Sequence, residues 1–349
     1  HLREESLSFA WYLKREKAMY KQTIRPVLFL MEPEKVHALL VSCLKCYRHL
    51  PWCRCWIRHL YTCSDKQLIW NHLTFRNRIG LSAGFDKGAE IFDELADCGF
   101  GFIEVGTVTP DSQDGNPRPR IFRLPQCESL ISRTGFNNPG LDVIKRRLEQ
   151  KSGSYVLGVN INKNPSSEGE QAVADFLRLY KELHPHVGYF TLNWGSVDVA
   201  LMKQVLQGLA AFRVEQNIHV PLLLKLPADI TEEGMDDVID CTRLYRVDGV
   251  IATGPTMERS YLKGYSPAQL QKIGSGGISG RGIGERSLKA VSYLRAHAGK
   301  SLLIVGAGGI ITPADARRML DAGANLIQIY SSFIYEGPGI VKKMIQEIK

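Results

Sequence analysis

The 349-residue sequence has no long hydrophobic run. Near the N-terminus the longest purely apolar stretch is Val27 to Met31, far short of the ~20 residues a membrane-spanning helix needs. It carries no recognisable signal peptide or twin-arginine pattern, so reduced thiols are expected for its eight cysteines. No nucleic-acid-binding motif is present, so nucleic acid ranks last among readings of its net charge of +8. Internal repeats and low-complexity segments are also missing, which excludes solenoid and disordered architectures. What remains is ordinary for a globular chain: 44% hydrophobic and 23% charged residues. The length suffices for one large barrel domain plus an appendage. The chain opens on His1, and Met19 is a plausible native start, with residues 1–18 as an extension.

The positive charge is uneven. Residues 1–65 hold eleven Lys/Arg against six Asp/Glu, and also Trp11, Trp52 and Trp56. A basic, aromatic, amphipathic stretch suits an anionic membrane surface; a solvated basic face is the plainer alternative. Residues 19–62 read as short helices, broken at Glu32-Pro33-Glu34 and restarted at Pro51. Ile24, Val27, Leu28, Met31, Val36, Leu39, Leu40 and Leu44 form their apolar faces. These helices are either a cap on the main domain or an apolar tunnel for a membrane-dissolved substrate. Cys43, Cys46, Cys53, Cys55 and Cys63 also fall here. Their spacing invites a zinc reading, but Cys43 and Cys46 lie in a helical apolar pattern where they are expected to pack as small hydrophobes, and no metal site is expected.

From residue 72 a new rhythm begins. Candidate strands are Arg78–Ala83, Gly101–Gly106, Tyr155–Ile161, Tyr189–Asn193, Leu222–Lys225, Gly249–Ala252, Leu302–Val305 and Leu326–Tyr330. Helical patterns such as Ala172–Leu183, Met202–Gln216, Gly234–Tyr245 and Glu285–Ala298 lie between them. Eight strands alternating with helices predict a (β/α)8 barrel, an α/β fold, over residues 66–349, behind a helical extension at 19–65. Ser82, Thr107, Asn160, Asn193, Lys225 and Thr253 follow the strands, at the face where such barrels keep their chemistry. Residues 302–337 carry the strongest local signal: strand, Gly306-Ala307-Gly308-Gly309, a helix capped by Thr312 with Pro313 in its first turn, a second strand, then Ser331-Ser332. Exposed N–H groups at such turns bind a phosphate dianion, or else the glycines merely make tight turns. Lys225 ends an apolar strand and should point into the barrel mouth, where a cation needs an anionic partner.

These pieces together resemble class 2 dihydroorotate dehydrogenase, the membrane-associated, quinone-reducing flavoprotein family. The resemblance runs over about residues 19–349, through GLSAGFDKGAE at 80–90, GFGFIEVGTVTP at 99–110, GNPRPRIFRLP at 115–125, GFNN at 135–138, GVNINKN at 158–164, LLLKLPAD at 222–229, GGISG at 276–280 and the terminal βαβ unit. It implies FMN held by Ala83, Gly84, Thr107, Asn160, Asn193, Lys225, Thr253, Ser279, Gly280, Gly308, Gly309, Tyr330 and Ser331. It implies dihydroorotate, oxidised to orotate, bound by Lys87, Ser132, Gly135, Phe136, Asn193 and Gly254. Ubiquinone or menaquinone would be met by His37, Arg123 and Tyr330. The implied location is peripheral, on a bacterial inner membrane or the mitochondrial inner membrane.

The sequence departs from the family where substrate binds. NRxGFN reads Ser132-Arg133-Thr134-Gly135-Phe136-Asn137, and TNTT reads Thr253-Gly254-Pro255-Thr256. The serine base rides on a long loop in the family; here Asn193 runs into Trp194-Gly195-Ser196, and the stretch to Lys225 is about eleven residues short, one active-site lid loop. Ser196 is the candidate base in register. Either a lid loop belongs between Asn193 and Trp194 and the sequence as given omits it, or the protein has lost the loop and its substrate asparagines and its substrate has changed. The alternatives to dihydroorotate oxidation are a related flavoprotein with another small substrate, or a flavin-binding interaction protein.

Overall fold

The computed structural model describes residues 20–63 and 66–349. The expected extension at 1–18 and Trp11 lie outside the described residues. A helical turn at Tyr20–Ile24 leads into α1 (Arg25–Leu30), α2 (Pro33–Tyr47) and α3 (Pro51–Tyr61). Each of these three has a proline in its first turn, where the missing N–H costs nothing. Their apolar residues divide: Leu40, Val41 and Leu44 pack on the core, while Val27, Leu30, Trp52 and Trp56 face outward. Cys43 and Cys46 do not pack as the helical pattern suggested. Both are exposed, because the buried stripe of α2 is taken by the bulkier Leu40 and Leu44. Arg48 pairs with Glu94, and Arg54 and Arg58 both pair with Asp97, fastening the helices to the barrel.

A hairpin, β1 (Leu68–Trp70) and β2 (Leu73–Phe75), precedes the barrel. Next come β3 (Ile79–Leu81), α4 (Phe92–Ala96), β4 (Phe102–Val108), β5 (Ile121–Leu124), β6 (Ser129–Ser132), α5 (Leu141–Leu148), β7 (Val156–Ile161) and α6 (Gly169–Leu183). They are followed by β8 (Tyr189–Asn193), α7 (Val199–Glu215), β9 (Leu222–Leu226), α8 (Glu232–Leu244), β10 (Gly249–Ala252), α9 (Pro267–Ile273), β11 (Gly277–Gly280) and α10 (Gly284–Ala298). The chain ends with β12 (Leu303–Ala307), α11 (Pro313–Asp321), β13 (Leu326–Ile329), α12 (Ser331–Glu336) and α13 (Gly339–Ile348). Eight strands close a parallel barrel in the order β3-β4-β7-β8-β9-β10-β12-β13, the expected architecture. The Thr312 cap and Pro313 stand as read, with a reciprocal Thr312–Asp315 capping box. Ser331-Ser332 is no turn: both residues open α12.

Side chains alternate across each strand. On β9, Leu222, Leu224 and Leu226 face the helices while Leu223 and Lys225 face the barrel axis. Phe102, Val156, Tyr189, Leu223 and Leu326 fill the lowest layer inside, sealed by Leu73 and Phe75 of the hairpin. The next layer is polar: Glu104, Thr191, Lys225 and Gln328. Asn160 and Asn193 stand above it. A second, antiparallel sheet of β5, β6 and β11 leans over the barrel mouth, with Ser132 opposite Gly277.

Candidate active site

A cavity of about 530 Å³ opens at the C-terminal end of the barrel, a size that suits a small molecule or cofactor. One of its walls is the row of strand ends. Asn160 and Asn193 exchange reciprocal amide hydrogen bonds at 3.1 and 3.0 Å, and Thr107 donates to Asn160 Oδ1 at 2.7 Å. Parallel pairing of β7 and β8 sets Asn160 opposite Thr191, so Asn193 stands two residues farther along the barrel wall, on the same face and within reach of Asn160. Lys225 Nζ donates to Ser82 Oγ at 2.7 Å and lies 3.9 Å from Glu104 Oε1. Burial lowers the lysine's proton affinity and Glu104 opposes that shift. One bond spends one of three N–H donors, so the ammonium keeps capacity for an acceptor in the cavity.

Farther round the same wall lie Ala83, Gly84, Thr253, Gly308, Gly309, Tyr330 and Ser331. Gly84, Gly308 and Gly309 have φ of 98°, 89° and 74°, a backbone region that disfavours any Cβ. Thr253 shares a 2.7 Å hydroxyl contact with Ser287, and Ser279 and Ser331 meet at 3.3 Å. Tyr330 OH donates to Gly84 O at 3.4 Å, and burial raises its proton affinity to about 12. Lys87 Nζ donates to Gly84 O at 2.9 Å, and burial lowers its pKa to about 8.

The facing wall comes from the accessory sheet and the turns after β8 and β10. Ser132, Thr134, Phe136, Gly254, Pro255, Met257, Gly277, Ser279 and Gly280 line it. Gly135 turns the chain just beside it, with φ of 70°. Asp229 accepts hydrogen bonds from Thr256 Oγ1 and Met257 N, fixing the turn after β10. Trp194 follows β8 directly, is 7% exposed, and its N–H donates to Lys225 O at 2.8 Å. Ser196 lines the cavity; its hydroxyl donates to Asn193 O at 2.8 Å and reaches Asn162 Oδ1 at 3.5 Å. The chain passes from Asn193 to α7 through residues 194–198 alone.

Of the three residues read as a quinone site, His37 and Tyr330 share one neighbour, Phe85, while the direct contacts of Arg123 are with α1 and the turn after it. His37 packs edge-on against Phe85 at 5.4 Å, and Phe85 against Tyr330 at 5.8 Å. Burial, with Lys87 nearby, lowers the His37 pKa to about 4. Arg123 is tied instead to α1, donating to Leu28 O and Met31 O and lying 4.6 Å over the Phe29 ring. Sequence reasoning missed Ser82 as the partner of Lys225, Trp194 as a wall, and Glu104 beneath both. The signal for Glu104 was there: a lone acid in an otherwise apolar barrel strand.

The donor set fits FMN. A buried cation with donors to spare, a pair of amides and positive-φ glycines occupy one wall, as an acceptor-rich ring and a phosphate require. Comparison with known proteins points the same way. The model of the family described as dihydroorotate dehydrogenase matches residues 66–349. A dihydroorotate dehydrogenase (quinone) of Christiangramia forsetii is 37% identical over 341 residues, 95% of this chain and 98% of the relative. One of Paraburkholderia phymatum is 41% identical over 290 residues, 79% of this chain and 83% of the relative. A crystal structure of DHODH from Eimeria tenella in complex with ferulenol superimposes with a TM-score of 0.76 at 29% identity, covering 90% of each chain.

Proposed function

The chain belongs to the quinone-type dihydroorotate dehydrogenase family, and from that premise we propose that it oxidises dihydroorotate to orotate in the barrel-mouth cavity. FMN is the resident cofactor and a quinone, ubiquinone or menaquinone, the final acceptor. The single observation that carries the reading is the buried ammonium of Lys225 beside the Asn160–Asn193 amide pair. When bound, FMN supplies hydride acceptance and onward electron transfer. Ala83, Gly84, Thr107, Asn160, Asn193, Lys225, Thr253, Ser279, Gly280, Gly308, Gly309, Tyr330 and Ser331, all lining the cavity, would hold it.

The chain's own residues bind, orient and move a proton. Lys87 meets the substrate carboxylate; with a pKa of about 8 it is largely charged at neutral pH. Ser132, Phe136, Asn193 and Gly254, which line the cavity, and Gly135 beside them would surround the substrate ring. Ser196 is the base. Among the described residues its partners are a backbone carbonyl and an asparagine amide, neither of which takes up a proton. Its hydroxyl proton therefore leaves to water as it receives the substrate's, which makes proton abstraction slower than at a serine backed by a stronger base.

The N-terminal helices carry the quinone side. The rings of His37, Phe85 and Tyr330 run in contact from α2 to the cavity. A His37 pKa of about 4 keeps that imidazole neutral at physiological pH. Exposed Val27, Leu30, Trp52 and Trp56 beside basic residues suit a peripheral membrane surface, bacterial or mitochondrial. Among the described residues no helix is long and apolar enough to cross a membrane. Purified protein is expected to be yellow, to release FMN on denaturation, and to form orotate from dihydroorotate with quinone present. A colourless protein that cannot be reconstituted with FMN overturns the reading.

A further inference from the structure

The barrel interior holds an ionisable group, Glu104, that this mechanism leaves idle. Glu104 projects from β4 into the barrel interior and has no exposed surface. Its Oε2 accepts from Gln328 Nε2 at 2.7 Å and from Tyr189 OH and Thr191 Oγ1, both at 3.1 Å. Its Oε1 accepts no hydrogen bond and lies 3.9 Å from Lys225 Nζ. Three side chains donate to that one oxygen, which fixes the direction in which the carboxyl group points. The unbonded oxygen is turned toward the cation. Strands β4, β8, β13 and β9 supply one residue or more each, so the arrangement belongs to the closed barrel and to no single motif.

We propose that Glu104 is a positioning residue that keeps Lys225 protonated against the cavity. The lysine side chain is only 11% exposed and its direct partner is the neutral Ser82 hydroxyl; a lysine so withdrawn from water holds its proton less well without a counter-charge. Around it, β3 is followed by Ser82, β13 gives neutral Gln328, and β8 gives Thr191 and the phenol of Tyr189, whose own proton is held by burial and by Glu104. Glu104 is thus the acidic group that faces Lys225 from the packed strands among the described residues. Tyr189, Thr191 and Gln328 aim it. The carboxylate does not line the cavity; it acts through the charge state of Lys225. The inference rests on FMN occupying the cavity beside Lys225.

The test is the midpoint potential of bound FMN as a function of pH in the wild type, Glu104→Gln and the Glu104→Gln, Lys225→Met double variant. In Glu104→Gln the expected result is an additional inflection, below the ordinary lysine range, where a lysine withdrawn from water and without its counter-charge titrates. The wild type and the double variant lack it. A direct field of Glu104 on the flavin would shift the curve without bending it. Parallel curves for wild type and Glu104→Gln, with FMN bound, overturn the inference and leave the assignment of the cofactor standing. Protein without FMN overturns the assignment of the cofactor instead. Isotope-edited infrared spectra of the wild type decide the matter where the variant does not fold or no flavin binds. Ionised glutamates alone at pH 7 support the inference, and a protonated glutamic acid band contradicts it.

Discussion

The two walls of the cavity are built by different means. The strand-end wall takes its residues from the closed barrel, where parallel register fixes Asn160 against Asn193 and places Lys225 over a buried carboxylate. Its polar groups are paired with one another before any ligand arrives. The facing wall comes from short antiparallel strands and turns, and its side chains are small or apolar: Ser132, Gly254 and Pro255, with Trp194 beside them. One wall is rigid and rich in donors, the other thin and poor in them. A flavin needs chiefly the first and a pyrimidine the second, so the molecule should hold its cofactor better than its substrate.

The largest expected effect breaks the strong wall. Lys225→Ala removes a charge-assisted bond worth about 1.5–3 kcal/mol and should slow flavin reduction by about 10- to 150-fold in single-turnover kinetics. An unchanged rate means that the ammonium has no role in the reaction. A smaller effect should mend the weak wall. Gly254 has an ordinary backbone conformation, and a Cβ there would meet Leu226 O at 3.4 Å, so Gly254→Asn fits. Each unpaired polar group of the substrate costs about 1–3 kcal/mol, so restoring one amide should tighten dihydroorotate binding by about 5-fold or more in a flavin-perturbation titration. Unchanged or weaker binding means that water already satisfies the ring at this wall.

The same division governs what was legible in the sequence. Barrel strands announce themselves as apolar runs with a polar residue at the end, so the Tyr189–Asn193 and Gly249–Ala252 boundaries agree with the structure, and Asn160, Asn193 and Lys225 all line the cavity. The accessory sheet was not legible. Its strands of four residues carry little periodicity, and β6 pairs with β11 across more than a hundred residues, a contact no local pattern declares. Cys43 and Cys46 misled for a related reason: helical spacing gives a face, but which residues win the buried stripe depends on what packs there. The resemblance named His37, Arg123 and Tyr330 together, but in the structure Arg123 serves α1 while an unforeseen ring, Phe85, joins the other two. Glu104 was visible as a lone acid and acquires meaning only when the barrel closes around it.

Stopped-flow mixing of oxidised, FMN-loaded protein with dihydroorotate tests the central claim most directly. The flavin absorbance should bleach to a saturable limit, with half-saturation about 30-fold or more weaker than in a Ser132→Asn, Gly254→Asn variant, as two unpaired substrate groups require. No bleaching by dihydroorotate at any concentration, from protein whose flavin is reduced by dithionite, would contradict the account.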